Sequence, residues 1–165
     1  MAQIYISLGS NIDREHYVKQ GLLSLAEAFE LPFEQLTLSS LFESEAVGFD
    51  GAAFYNMVIG ITCSESVEAV ASMLRAIEFS HGRDHNAKKF SPRSLDLDLL
   101  LYDNLIIELP AQLPRNEITK NAFVLWPLSQ VAPKLIHPIV KQNYRDLWQG
   151  FNKTSQQLSI VANCW

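Results

Sequence analysis

The residues best suited to chemistry lie in the run Ser94-Leu95-Asp96-Leu97-Asp98-Leu99. Side chains on a strand alternate between faces, so Leu95, Leu97 and Leu99 point one way and Asp96 and Asp98 the other. At about 3.3 Å per residue the two carboxylates stand roughly 7 Å apart. They repel one another unless a positive charge lies between them. Mg²⁺ suits that place, because it is a hard cation commonly held by one or two carboxylates together with substrate phosphates. Alone, such a pair also fits the polar face of an ordinary half-buried strand.

A second feature shifts the balance toward chemistry. Arg83, Lys88, Lys89 and Arg93 fall between His81 and the acidic strand, opposed only by Asp84. These are four of the chain's 13 Lys and Arg residues. A polyphosphate such as that of ATP needs both partners, a metal on carboxylates and cationic side chains. The usual nucleotide signatures are absent: there is no G-x-x-x-x-G-K-[ST] and no G-x-G-x-x-G. Nor is there a C-x-x-C, an H-E-x-x-H or a G-x-S-x-G. The four histidines, His16, His81, His85 and His137, are not spaced as a metal triad.

The elements that position these residues can be read from periodicity. Residues 3–8 predict a strand, and Gly9-Ser10-Asn11 a turn or helix entry. Val18, Leu22, Leu25 and Phe29 recur at helical spacing, limited by Pro32. Residues 35–42 and 55–62 predict two further strands, with a Gly-containing loop from Glu43 to Ala53. Ser64 or Ser66 caps a helix whose stripe is Val67, Val70, Ala71, Leu74 and Ile77, and Gly82 ends it. Residues 94–102 form a fourth strand. A short strand near 105–107, a helix around 123–131 and a Pro-punctuated tail complete the chain. The order strand, helix, strand, strand, helix, strand predicts an α+β ferredoxin-like sandwich, an antiparallel sheet carrying helices on one face.

Composition excludes other classes. A chain of 165 residues, 48% hydrophobic, suits one domain with a real core, here 1–165. The N-terminus lacks a signal-peptide pattern, and the longest apolar runs, 99–102 and 122–128, are too short for a membrane span. Cys63 and Cys164 have neither metal-ligand spacing nor a disulfide framework, which fits a reduced cytoplasm. A ferredoxin-like fold also serves nucleic-acid binding, but the net charge of −5 and the acidic strand argue against it.

The run Phe90-Ser91-Pro92-Arg93-Ser94-Leu95-Asp96-Leu97-Asp98-Leu99-Leu100-Leu101-Tyr102 resembles the signature of the 6-hydroxymethyl-7,8-dihydropterin pyrophosphokinase family. Leu8-Gly9-Ser10-Asn11, Ser39-Ser40 with Phe42-Glu43-Ser44-Glu45, and Phe54-Tyr55-Asn56 extend the likeness. So do Ile77-Glu78, Gly82-Arg83, Phe123-Val124-Leu125-Trp126-Pro127-Leu128 and Ala132-Pro133. The resemblance implies transfer of pyrophosphate from ATP to the hydroxymethyl group of a dihydropterin, in folate biosynthesis. It makes Asp96 and Asp98 ligands of two Mg²⁺ ions, and Arg83 and Arg93 phosphate-binding arginines of the catalytic set. Glu78 would lie near the nucleotide. Phe123 and Phe54 would sandwich the pterin, with Asn56, Ser44 and Val47 completing its pocket. The implied protein is a monomer of the cytoplasm acting on small molecules, without nucleic-acid or membrane partners.

Departures from the family pattern fall mainly on the nucleotide side. Leu113-Pro114-Arg115-Asn116 stands where members carry a Pro-His that contacts ATP, so Arg115 takes that place. Asn121-Ala122-Phe123 lacks an arginine that many members place before the phenylalanine, Phe90 replaces a tryptophan, and Ala46 replaces a proline. These changes leave one alternative: a divergent paralogue that binds a pterin, or acts on a different one, with weak or no transferase activity.

Overall fold

The computed structural model describes residues 1–44, 53–82 and 94–165. The alternation of Ile4, Ile6 and Leu8 carries β1 (Ala2–Ser10), which runs on through Gly9 and Ser10 where a turn was expected. The helix α1 (Arg14–Ala28) buries Val18, Leu22 and Leu25, the stripe anticipated from spacing. The expected strand at 35–42 is divided into β2 (Thr37–Leu38) and β3 (Leu41–Ser44), both antiparallel to β4 (Phe54–Cys63). Leu38 faces Ile59 but Phe42 faces Asn56, so one extra residue bulges at Ser39-Ser40. Ser39 Oγ accepts the Val58 N–H at 2.9 Å, replacing a ladder bond that the bulge would otherwise lose.

Ser66 caps α2 (Val67–Ser80), its hydroxyl accepting the Ala69 N–H at 3.2 Å. Beyond the end of α2, Gly82 takes φ 92°, a conformation that suits a residue without Cβ. The strand β5 (Asp96–Tyr102) follows, then α3 (Ala122–Val131), α4 (Tyr144–Gln149) and β6 (Leu158–Val161). The short strand expected near 105–107 is reduced to a single bridge between Ile107 and Leu113. The tail holds α4 and β6, which periodicity did not reveal: six and four residues are too few for a distinct pattern.

The sheet order is β5-β1-β4-β3-β6, with β2 beside β4. Its first four strands and the two helices make the ferredoxin-like α+β arrangement. On one face, Ile4, Ile6, Leu8, Met57, Ile59, Leu97 and Leu99 pack against α1 and α2. Each fully buried aliphatic side chain there contributes about 1.5–3 kcal/mol relative to exposure.

Helices on one face alone was an incomplete expectation. Tyr5, Val58, Leu100 and Leu101 make a second apolar cluster with Val124, Leu125 and Leu128 of α3 and Tyr144 of α4. A bulge in β5 enlarges it: Tyr5 faces Leu101 but Ile6 faces Leu99, so Leu100 is inserted and joins Leu101 on this side. The apolar part of this face binds α3 and α4. Its polar part holds the candidate site.

Candidate active site

Cross-strand partners share a face, so register assembles the site. Asp96 faces Gly9, Gly9 faces Asn56, and Asn56 faces Phe42, giving one row across four strands. The next row joins Asp98, Ser7 and Val58. Phe54 faces Ser44 at the end of β4. Val58 belongs to the α3-side cluster, and the Phe42 ring meets Trp126 of α3 with centroids 4.8 Å apart. These contacts place Asp96, Asp98, Asn56, Ser44 and Phe54 all on the α3 side. Leu97 and Leu99 point the other way, into the first core, as strand alternation requires.

Gly9 keeps the row open. A Cβ there would lie 3.3 Å from Asn56 Oδ1 and 3.7 Å from Phe54 Cδ1. With adjacent strands about 4.8 Å apart, Asp96 and Asn56 flank a bare strip roughly 10 Å wide. Asn56 is buried, and its Nδ2 donates to Ser44 Oγ at 2.7 Å. That bond orients the amide with Oδ1 over Gly9, leaving an acceptor and one N–H open to a ligand among the described residues. Gly9 was absent from the sequence-derived site. A glycine inside a strand is the signal that could have revealed it, since it marks close approach of a ligand or another chain segment.

The ends of β3 and β4 are held from the opposite face. Arg14 Nη1 donates to Glu43 Oε2 at 2.8 Å and to Ala53 O at 3.0 Å, and its guanidinium lies 3.9 Å over the Tyr55 ring. Glu43 precedes Ser44 and Ala53 precedes Phe54, so this clamp steadies both site residues. Phe123, at the start of α3, is partly buried against the second cluster. Beside Ser44 opens a cleft of about 730 Å³, lined also by Trp126, Trp148, Lys153 and Gln156.

Arg115 comes to the acidic pair. Its Nη2 lies 3.3 Å from Asp98 Oδ1 and 3.3 Å from Glu117 Oε1, and its N–H donates to Leu100 O at 3.0 Å. A cation is therefore already seated at Asp98. Glu78 takes a different position: buried on α2, its Oε2 accepts the Leu97 N–H at 2.8 Å. It thereby satisfies an outward-facing donor of the edge strand between the two aspartates. Arg83, Arg93 and Val47 lie outside the described residues.

Asp96 and Asp98 fit a hard divalent cation. Both offer carboxylate oxygens from one strand face and both are partly exposed. Among the described residues no group of three or more His, Cys, Asp or Glu side chains could hold a metal. A pair of carboxylates suits an ion that completes its shell with water and phosphate.

The model of the 7,8-dihydro-6-hydroxymethylpterin-pyrophosphokinase family matches residues 5–133. The chain belongs to this family. A 2-amino-4-hydroxy-6-hydroxymethyldihydropteridine pyrophosphokinase of Aquifex aeolicus is 30% identical over 149 residues, covering 88% of this chain and 90% of the relative. The enzyme of that name from Pseudomonas aeruginosa is 34% identical over 140 residues, covering 82% and 84%. The pyrophosphokinase fold is also that of a crystal structure of wild-type Plasmodium falciparum HPPK-DHPS with SDX-DHP. That match has a TM-score of 0.65 at 12% identity and covers 90% of this chain. This chain spans 43% of that longer one. Nothing in these likenesses favours the divergent-paralogue alternative. Among the described residues no helix is long and apolar enough to cross a membrane.

Proposed function

We propose that this chain transfers the pyrophosphoryl group of ATP to the hydroxymethyl oxygen of 6-hydroxymethyl-7,8-dihydropterin, giving the pterin diphosphate and AMP. The observation that carries the reading is the row Asp96-Gly9-Asn56, which sets an acidic pair and an oriented amide on either side of a bare strip. Membership of the pyrophosphokinase family supports it.

Asn56 reads the amide-like edge of the pterin, its orientation held by Ser44. Phe54 and Phe123 supply aromatic faces for the flat ring. Asp96 and Asp98 would hold two Mg²⁺ ions, which would offset the charge of the triphosphate oxygens. Arg115 adds a cation beside Asp98, and its planar fork suits phosphate oxygens. Arg83 and Arg93 are assigned to the phosphates, and Val47 to the pterin pocket, on the family resemblance alone. Glu78 acts on the nucleotide side by holding β5 at Leu97. The alcohol oxygen attacks the β-phosphorus, the bond from that phosphorus to the AMP oxygen breaks, and the alcohol proton passes to solvent. No side chain is assigned as general base. Positioning and charge stabilisation supply the catalysis, as in other phosphoryl transfers. The reading includes a monomer at work in the cytoplasm.

The test is incubation of the purified protein with Mg²⁺, ATP and the pterin, with products read by mass spectrometry. AMP and pterin diphosphate are expected. ADP in place of AMP would refute pyrophosphoryl transfer.

A further inference from the structure

The segment after residue 133 lies beyond the family match, yet it touches both walls of the candidate pterin site. Gln156 Oε1 accepts the Ala122 N–H at 2.7 Å, the first helical residue of α3. Its Nε2 donates to Lys120 O at 3.0 Å and to Asn121 Oδ1 at 3.4 Å. Asn121, at the N-cap position, forms no side-chain cap. A donor that a cap leaves open at the start of a helix is thus met by a side chain 34 residues away. Two residues further on, Leu158 pairs with Ser44 and Ser159 with Glu43.

One short stretch therefore grips the start of α3, which carries Phe123, and the end of β3, which carries Ser44 and through it Asn56. Upstream, Trp148 stacks on Trp126 of α3 at 5.0 Å, and Lys153 Nζ donates to Trp148 O at 2.8 Å. The segment is anchored before it reaches Gln156.

We propose that Gln156 is a positioning residue that sets the gap between Phe123 and the Ser44–Asn56 pair, and so governs capture of the pterin. This inference rests on the function proposed above. It concerns the pterin side alone, because Asp96 and Asp98 lie on β5, at the opposite end of the sheet order from β3 and β6.

The experiment compares wild type, Gln156→Ala and Gln156→Glu in steady-state kinetics and amide hydrogen exchange. Alanine removes the acceptor for Ala122. Glutamate keeps it and loses the two donated bonds. In Gln156→Ala the pterin KM should rise about fivefold, the ratio that corresponds to a loss of about 1 kcal/mol in pterin binding. The kcat and the ATP KM should stay within about twofold, and Gln156→Glu, which keeps the Ala122 bond but turns an oxygen toward Lys120 O, should recover part of the loss. Exchange at Ala122 and Phe123 should quicken in Gln156→Ala and be near wild type in Gln156→Glu. An unchanged pterin KM in an active protein would overturn the proposal, as would equal losses in both KM values with a lowered Tm. Unchanged exchange at Ala122 and Phe123 would overturn it whatever the activity. Absence of AMP from the wild type would count against the proposed function, leaving the exchange measurement to decide the role of Gln156.

Discussion

Replacing Gly9 with alanine tests whether the bare strip seats the pterin. The new Cβ lies 3.3 Å from Asn56 Oδ1, closer than a carbon and an oxygen ordinarily settle, and 3.8 Å from Tyr55 O. Asn56 must give way by a few tenths of an ångström. Its Nδ2 bond to Ser44 Oγ, 2.7 Å long, resists the shift. The methyl also covers the acceptor that would meet the pterin. Losing one or two hydrogen bonds to a bound ligand corresponds to about 1–3 kcal/mol, or a pterin KM raised about 5- to 150-fold. Folding stability should behave differently. Alanine in a strand is favoured over glycine by about 0.5–1 kcal/mol, which offsets the tight contact. Tm should therefore move by less than about 3 °C. Steady-state kinetics with each substrate varied, alongside a thermal melt, separates the two effects. A pterin KM within twofold of wild type in a fully folded Gly9→Ala protein would refute the reasoning.

Three further outcomes are expected. Asp96→Asn and Asp98→Asn should each lower kcat by about 10²–10³ or more, while pterin binding, followed by fluorescence, changes little. Near-normal turnover in either would remove the carboxylates from the mechanism. Tyr144 is fully buried and its hydroxyl has no hydrogen-bond partner among the described residues, so Tyr144→Phe should stabilise the fold by about 1 kcal/mol and raise Tm by about 2–4 °C. A lowered Tm would show that the hydroxyl is satisfied. His137 Nδ1 accepts the N–H groups of Ile139 and Val140, both at 3.1 Å, and burial holds the imidazole below its ordinary value of 6.5. The unfolded chain therefore takes up the proton first as pH falls, so stability should decline below about pH 6.5. His81, also lowered by burial and by His16, adds in the same direction. Chemical denaturation from pH 7 to 5 should give a flatter profile in His137→Gln than in wild type, and equal slopes would contradict the assignment.

Short-range periodicity made much of this protein legible. Two-residue alternation in 94–102 was enough to set Asp96 and Asp98 on one face and Leu97 and Leu99 in the core. Helical spacing marked α1 and α2, and a serine and a glycine marked the two ends of α2. These depend on neighbours within a few residues, so the local sequence carries them. The β2–β3 bulge was hidden because a loose alternation reads through an inserted residue.

Which side chains meet at the candidate site was decided only in three dimensions. Gly9 lies next to Asp96 because β1 and β5, almost ninety positions apart in the chain, share a register. Arg115 reaches Asp98, and Gln156 reaches Ala122, through chain reversals that no periodicity encodes. Which strands become neighbours depends on burying both faces of the sheet at once. The amino-acid order by itself determined which side chains an element presents; long-range packing decided which of them meet.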